Sequence, residues 1–471
     1  MALVKTFMRI FFQILLICIG FQGTAQQITL TRGGITENLK TLDSIEATYS
    51  IYIPNSYNDT TAYRLLYIAE PNGESLKSIR LFLSEMTRDE FIIAANATPL
   101  TDSLERNMNT LSSVLKTLYK TFKIRLNSTY LAGIDEGAET VSSLGFITNG
   151  ITGVLALQDI YYTADIFKFR PNTITYGIVG DVGKNVYKMR KAFSWPNNRD
   201  NRNKLMIIPE STWPQANYLA SVFNNLVIQT QPNKDRNLSP EQIDRSFDQD
   251  LKHIKLLQAN GDYFMAQQLV DLSKAAYRGL KKLKPLRVLG RELRKDKVFK
   301  SQRKEKARNA EKEHLLAEEL QFFIEVDIED SNFENLGYWD TRIKELEKAA
   351  SDENKPFEQK SAQRLLYLIS DELEAYEAAL EDYNKRTLDN LLYVQVMKTV
   401  LDPKDYPSYL KAIELAAADN DINTAYFYLE ELLKNGYTDF ESLYEIPETS
   451  ALQLLPTYNE IIRHYLDRSK Y

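Results

Sequence analysis

The chain has 471 residues, which is enough for two or more domains of ordinary size. Its hydrophobic fraction of 44% and charged fraction of 26% are those of a folded globular protein and exclude a wholly disordered chain. The formal net charge of −6 excludes the strongly basic balance typical of nucleic-acid-binding proteins, so we expect no nucleic-acid partner.

Residues 1–25 have the layout of a secretory signal peptide. Lys5 and Arg9 form a basic start, an apolar run extends from Ile10 to Phe21, and small residues precede Gln26. The apolar run is too short for an ordinary membrane-spanning helix, and a retained anchor is the alternative interpretation. We therefore predict export to the periplasm, the outer-membrane surface or the medium of a bacterium.

The single cysteine, Cys18, lies within this segment. Ile17 precedes it where a lipoprotein signal has a small residue, so we do not expect lipidation. The mature chain then has no disulfide, no thiol nucleophile and no cysteine–zinc site. An exported protein of this size without disulfides suits a bacterial envelope better than a eukaryotic secretory route.

Residues 26–230 are predicted to form an α/β domain. Short apolar runs typical of buried strands alternate with polar helical stretches, and these runs are 47–53, 65–69, 91–95, 129–132, 174–179 and 205–208. An amphipathic helix is indicated by apolar residues at three- and four-residue spacing, namely Leu111, Val114, Leu115, Leu118 and Phe122. The alternation predicts a mostly parallel sheet covered by helices on both faces.

Residues 239–471 are predicted to be all-helical, because glycine becomes rare and Lys, Glu, Leu and Ala dominate. Residues 231–238 form the predicted linker. Ser239, Pro240 and Gln242 have the spacing of an N-cap, a first-turn proline and a capping box, which marks the start of the first helix.

Two places in this half share a local pattern. A polar turn is followed by a small alanine at Asn260 to Ala266, and again at Asn420 to Ala425. The pattern resembles the junctions of tetratricopeptide-type repeats, which commonly bind protein partners. Irregular helical hairpins are the alternative, since the period is not sustained between the two places.

A basic segment extends from Arg278 to Arg308. Lysines and arginines dominate it, and its acidic residues are only Glu292, Asp296 and Glu305. It could bind an anionic envelope surface, such as lipopolysaccharide or phospholipid head groups. The alternative is a solvated helix whose charges meet acidic neighbours.

The segment from Gly133 to Gly137 (GIDEG) has the spacing of a nucleophile elbow, G-x-S-x-G, in which a sharp turn between a strand and a helix exposes the central side chain. Here the central residue is Asp135. An aspartate nucleophile still needs a histidine to activate water against the ester intermediate. The histidines of the chain all lie in the helical half, at positions His253, His314 and His464.

Acidic residues following the elbow allow three interpretations. The first is that the start of the following helix is simply stabilised, through its dipole, by Asp135, Glu136 and Glu139. The second is that the same three residues form a small pocket for a cation or a basic ligand, in which Glu70 and Trp213 are further candidates. The third interpretation is catalysis by Asp135.

Residues 45–230 resemble the esterase and polyhydroxybutyrate-depolymerase type of α/β-hydrolases. The resemblance is carried, in chain order, by the phrases Tyr49 to Tyr57 (YSIYIPNSY), Glu70 to Gly73 (EPNG), Tyr119 to Gly133, Ile178 to Asp181 (IVGD) and Ile208 to Pro214 (IPESTWP). It implies an α/β-hydrolase fold, a catalytic acid at Asp181, and a catalytic histidine at the position that holds Ser211. With the serine replaced by Asp135 as well, it implies a domain that has lost its catalytic residues.

We therefore predict an exported cell-envelope protein in which an inactive α/β-hydrolase domain serves as a binding or scaffold module. Its tetratricopeptide-like helical domain is expected to bind a protein partner, and the basic segment offers a contact to an anionic surface. We expect no cofactor and no metal. The alternative is an atypical esterase that uses Asp135 at the elbow.

Overall fold

The computed structural model describes residues 30–43, 45–162, 173–194, 202–209, 216–230, 238–382 and 388–471. The predicted signal peptide, most of the predicted linker, and the candidate residues Ser211 and Trp213 lie outside the described residues.

An eight-stranded sheet forms the centre of the first half. Its strands are β1 (Ile35–Lys40), β2 (Thr48–Tyr52), β3 (Tyr63–Ala69), β4 (Phe91–Asn96), β5 (Ile124–Ile134), β6 (Ile151–Leu157), β7 (Ile174–Gly180) and β8 (Lys204–Ile208). Their order is β1-β2-β4-β3-β5-β6-β7-β8. β2 is antiparallel to β1 and β4, and β3 to β8 pair in parallel. The predicted mostly parallel sheet is confirmed.

The described part of the same half contains six helices. They are α1 (Ser75–Phe82), α2 (Glu85–Glu90), α3 (Leu104–Thr121), α4 (Glu136–Ile147), α5 (Val186–Ser194) and α6 (Ala216–Thr230). Helices cover both faces, because alternate residues of a strand point to opposite sides. Leu65 and Tyr67 of β3 share a core cluster with α3, whereas Leu66 and Ile68 share another with α6.

The predicted strands and the predicted amphipathic helix are all present, but β1 and β6 were not predicted. β1 is a polar edge strand in which only Leu39 is buried, so it has no apolar run. The apolar run of β6 contains Gly153, and a glycine inside such a run usually indicates the end of a strand. In the sheet this glycine allows close contact, since a Cβ there would lie 3.0 Å from the Tyr130 ring.

The second half is helical, as predicted. Its helices are α7 (Pro240–Ala259), α8 (Tyr263–Ala276), α9 (Lys284–Lys295), α10 (Lys297–Glu329), α11 (Leu336–Ala350), α12 (Pro356–Asp382), α13 (Leu388–Leu401), α14 (Tyr406–Ala418), α15 (Ile422–Lys434), α16 (Ser450–Gln453) and α17 (Pro456–Leu466). The predicted capping box of Ser239 and Gln242 is confirmed at the start of α7.

Both repeat-like places are helical hairpins. Gly261 and Asn420 adopt positive φ angles of 83° and 63° in the turns between α7 and α8 and between α14 and α15. Ala266 and Ala425 are buried just after these turns, where small side chains let the paired helices approach closely. Their identification as tetratricopeptide-type repeats stays a prediction.

Helices α7 and α8 pack directly against the α/β half. One apolar cluster extends from β3 and α6 through these helices to residues as late as Phe299. Gln268 of α8 also binds the last strand of the sheet. Its Oε1 accepts from Ile207 N at 2.8 Å, and its Nε2 donates to Ile207 O at 2.9 Å. The domain boundary at 231–238 stays a prediction. Within the described ranges, no helix is long and apolar enough to cross a membrane.

Candidate functional site

Asp135 alone forms the turn between β5 and α4. Its φ of 48° and ψ of −119° are strained for any residue with a Cβ, at a cost on the order of 1–3 kcal/mol. Glycines flank it for steric reasons. A Cβ at Gly133 would lie 2.2 Å from Gly137 O, and a Cβ at Gly137 would lie 2.2 Å from Ala69 O. The chain therefore forms the strained strand–turn–helix that characterises a nucleophile elbow.

The Asp135 side chain is solvent-accessible, yet its surroundings disfavour its charge. Partial burial raises the pKa of Asp135, repulsion from Glu136 and Glu70 adds to the rise, and Lys184 opposes it. The turn thus combines a strained backbone with an excess of carboxylates.

The loop after β3 stands where an α/β-hydrolase provides an oxyanion donor. The Glu70 N–H donates to Asn96 Oδ1 at 2.7 Å, and Asn96 Nδ2 donates to Glu70 O at 2.6 Å. Pro71 has no N–H. The Glu70 carboxylate is buried and accepts from the Glu74 N–H. The first two residues of the loop therefore offer no free backbone donor.

Asp181 follows β7, at the position of the catalytic acid in the resemblance. Its Oδ2 accepts from Lys360 Nζ at 2.6 Å, and Arg364 donates to its backbone carbonyl. Both cations come from α12. The carboxylate is therefore part of an ion pair between the two halves of the protein.

The histidines have other neighbours. His253 is buried in α7, with its Nδ1 3.1 Å from Ser221 Oγ. His314 and His464 are exposed on α10 and α17. None of the three, all of which the structure describes, hydrogen-bonds to Asp135 or Asp181. No other histidine exists in the sequence.

The remaining acidic candidates differ in their partners. Glu136 is exposed in the first turn of α4. Glu139, in the same turn, forms an ion pair with Lys188 of α5. Lys188 also contacts Asp159 Oδ1 at 2.9 Å, just beyond the end of β6. Burial raises the pKa of Asp159, Lys188 opposes the rise and Glu139 adds to it.

Helix α12 adds a carboxylate, Asp371, that shares a neighbouring cation with Asp135. Burial raises the pKa of Asp371 to about 6, with Glu374 adding to the rise and Lys184 opposing it. Lys184 thus acts on both Asp371 and Asp135. Within the described ranges, no group of three or more potential metal-binding side chains is arranged to hold a metal ion.

The sequence predicted the turn at Asp135, but it did not predict the side chains that surround Asp135 and Asp181. Asp159 could have been predicted near this site from the sequence. It comes just after the apolar run of β6, at the edge of the sheet where Asp135 and Asp181 also lie. The contacts of Lys360 and Arg364 with Asp181 could not have been predicted, because both residues lie on a helix that is remote in sequence.

The sequence matches no protein-family model and no curated protein. Among solved structures, a thermostable esterase matches with 10% identity and a TM-score of 0.31, over 37% of this chain and 54% of that one. Est1E from Butyrivibrio proteoclasticus matches with 12% identity and a TM-score of 0.32, over 41% and 99%. An uncharacterised protein from Capnocytophaga ochracea matches with 9% identity and a TM-score of 0.33, over 56% and 94%.

The strand order and the elbow after β5 define the architecture by themselves. The protein consists of an α/β-hydrolase-like fold followed by a helical region.

Proposed function

We propose that this protein is a non-catalytic binding or scaffold protein of the bacterial cell envelope, built on an α/β-hydrolase-like domain. The helical region is the proposed site of a protein partner. Export is inferred from the basic and apolar pattern of residues 1–25.

The loop after β3 carries the proposal. Acyl transfer needs hydrogen-bond donors directed at the oxyanion, and loss of one donor lowers the rate by about 10²–10³-fold. Glu70 uses its N–H on Asn96, and Pro71 has none. The buried Glu70 carboxylate would also repel the developing negative charge near Asp135. This loop suits a structural role better than oxyanion binding.

The basic segment supports a second contact, to an anionic surface. Helix α9 buries Leu286, Leu289 and Leu293, which directs most of its arginines and lysines to solvent. Lys281, which precedes α9 in the basic segment, is instead paired with Asp244 at 2.6 Å. An exposed cationic face of this kind suits phospholipid or lipopolysaccharide head groups.

The strained turn at Asp135 favours the alternative, an esterase that uses this carboxylate. The test is hydrolysis of short p-nitrophenyl acyl esters by the chain from Gln26 onward, beside Asp135→Ala and Asp135→Asn. We expect all three proteins to match the buffer rate. Turnover by the parent protein that Asp135→Ala abolishes would establish the esterase and remove the proposed function.

A further inference from the structure

A cavity of about 270 Å³ lies where α8, α10 and α12 meet the carboxyl ends of β7 and β8. We propose that this cavity binds a small organic monoanion: one carboxylate on an aromatic or apolar body. The site lies outside the elbow and goes beyond the proposed function, since it holds whether or not Asp135 turns over esters.

Cationic and amide side chains reach the cavity from two helices. Gln302, Lys306 and Asn309 lie on one face of α10 at the spacing of adjacent helical turns. Lys360 and Arg364 lie one turn apart on α12. The two helices therefore direct a set of hydrogen-bond donors into one space.

Three cations of the cavity are already paired. Arg364 donates to Glu313 through Nε at 2.8 Å and also through Nη2. Arg190 contacts the same carboxylate at 3.1 Å, and Lys360 contacts Asp181 at 2.6 Å. These pairs hold the walls in place and cancel most of the positive charge.

Lys306 is the cation without such a partner. Among the residues that the structure describes, it makes no hydrogen bond or ion pair, and its Nζ lies 4.3 Å from the centroid of the Phe264 ring. Burial lowers the pKa of Lys306. Asp181 opposes this effect, and Arg190 and Arg364 reinforce it. A half-buried ammonium among like charges is stabilised by an anion that binds it directly.

The rest of the lining specifies the ligand. Tyr263, Phe264 and Phe357 form an aromatic wall, which suits an aromatic or apolar body. Among the described lining residues, Lys306 is the one cation that forms no ion pair, and Asp181 and Asp262 also line the cavity. A second negative charge would be repelled by these carboxylates, so a carboxylate fits better than a phosphate dianion.

The test is isothermal titration calorimetry of the chain from Gln26 onward with three probes: phenylacetate, its neutral analogue phenylacetamide, and inorganic phosphate. We expect phenylacetate to bind at least about tenfold more tightly than either of the other probes, because one hydrogen bond to a charged group contributes a free energy of this size. Binding should also take up protons at alkaline pH, because the anion raises the pKa of Lys306.

Two variants locate the contact. Lys306→Gln should weaken phenylacetate binding about tenfold, whereas Lys304→Gln, an exposed neighbour on the same helix, should leave it unchanged. Thermal unfolding checks that both variants fold. Absence of phenylacetate binding, equal binding of the amide, tighter binding of phosphate, or wild-type affinity in a folded Lys306→Gln variant would each overturn the inference. None of these results bears on the ester assay, so the two proposals fail separately.

Discussion

At the scale of single residues, Asp135 combines features that an enzyme would use and a binding protein would not need. Its backbone is strained, and Glu136 and Glu70 disfavour its charge. In an active hydrolase this strain positions the nucleophile. Under the proposed non-catalytic function, this strain has no catalytic use and only lowers the stability of the fold.

Replacement of Asp135 should therefore stabilise the fold. We expect Asp135→Gly to raise the free energy of unfolding by about 1–3 kcal/mol, because glycine adopts the turn without strain. Asp135→Asn keeps the Cβ and removes only the charge, so its gain should be smaller. Urea unfolding monitored by circular dichroism measures both variants. An Asp135→Gly protein less stable than the parent would contradict the strain argument.

The sequence was sufficient for residues whose role depends on local spacing. Gly133, Asp135 and Gly137 were recognisable because the elbow needs small residues at fixed positions around one turn. The pairing of Glu70 with Asn96 was not, since β3 and β4 bring together residues that are separate in sequence. The same holds for Lys360, which meets Asp181 only through tertiary packing.

At the scale of elements, Asp250 joins three helices in the core. It lies on α7, and its Oδ2 accepts from Asn225 Nδ2 of α6 at 2.7 Å and from Ser273 Oγ of α8 at 2.8 Å. Burial raises the pKa of Asp250 to about 6 from an ordinary 3.8, and the hydrogen bonds from Asn225 and Ser273 only partly oppose it. The folded protein therefore binds this proton more tightly than the unfolded chain does.

This difference makes stability depend on pH. The cost of the buried charge is full above pH about 6 and disappears as the pH falls toward 3.8. The Asp250 contribution to the free energy of unfolding should thus rise from pH 7 to pH 4, by an amount on the order of 3 kcal/mol. Asp250→Asn keeps an oxygen acceptor and should remove this component.

Chemical unfolding at a series of pH values measures the Asp250 effect. Asp248→Asn is the matched control, because Asp248 is exposed on the same helix and should leave the pH profile unchanged. If the parent protein and Asp250→Asn have parallel profiles, Asp250 is ionised in the folded state at its ordinary pKa.

Elements with a strong apolar pattern in the sequence were predicted correctly, whereas elements that depend on their neighbours in the fold were not. The strands β3, β4 and β7 are buried along their whole length and have continuous apolar runs. β1 belongs to the sheet through backbone pairing with β2, which leaves no mark on its polar side chains.

At the scale of the whole molecule, Glu313 connects the helical region to the α/β half. It is buried on α10 and accepts hydrogen bonds from Arg364 and Ser361 of α12, and from Tyr187 and Arg190 of α5. Burial alone would raise the pKa of Glu313, but the bonds and charge of Arg364 outweigh this effect and lower it. The carboxylate is therefore charged throughout the neutral range.

Loss of this charge should loosen the contact between the two halves. We expect Glu313→Gln to lower the free energy of unfolding by about 3–5 kcal/mol, because Arg364 would remain buried without its anion. Urea unfolding measures the loss. Glu318→Gln is the control, since Glu318 is exposed on the same helix and should change stability by less than about 0.5 kcal/mol. Equal losses in both variants would show that the network is not stabilising.

The contact of Gln268 with β8 affects how the protein folds during its synthesis. Its side-chain amide occupies both backbone groups of Ile207 on the last strand of the sheet, as a neighbouring strand would. An open strand edge can pair with other chains and form aggregates. During synthesis β8 precedes α8, so Gln268 cannot occupy these two backbone groups until it has been added and α8 has folded back. Incomplete chains that end between β8 and α8 should therefore be the species most prone to edge-to-edge aggregation.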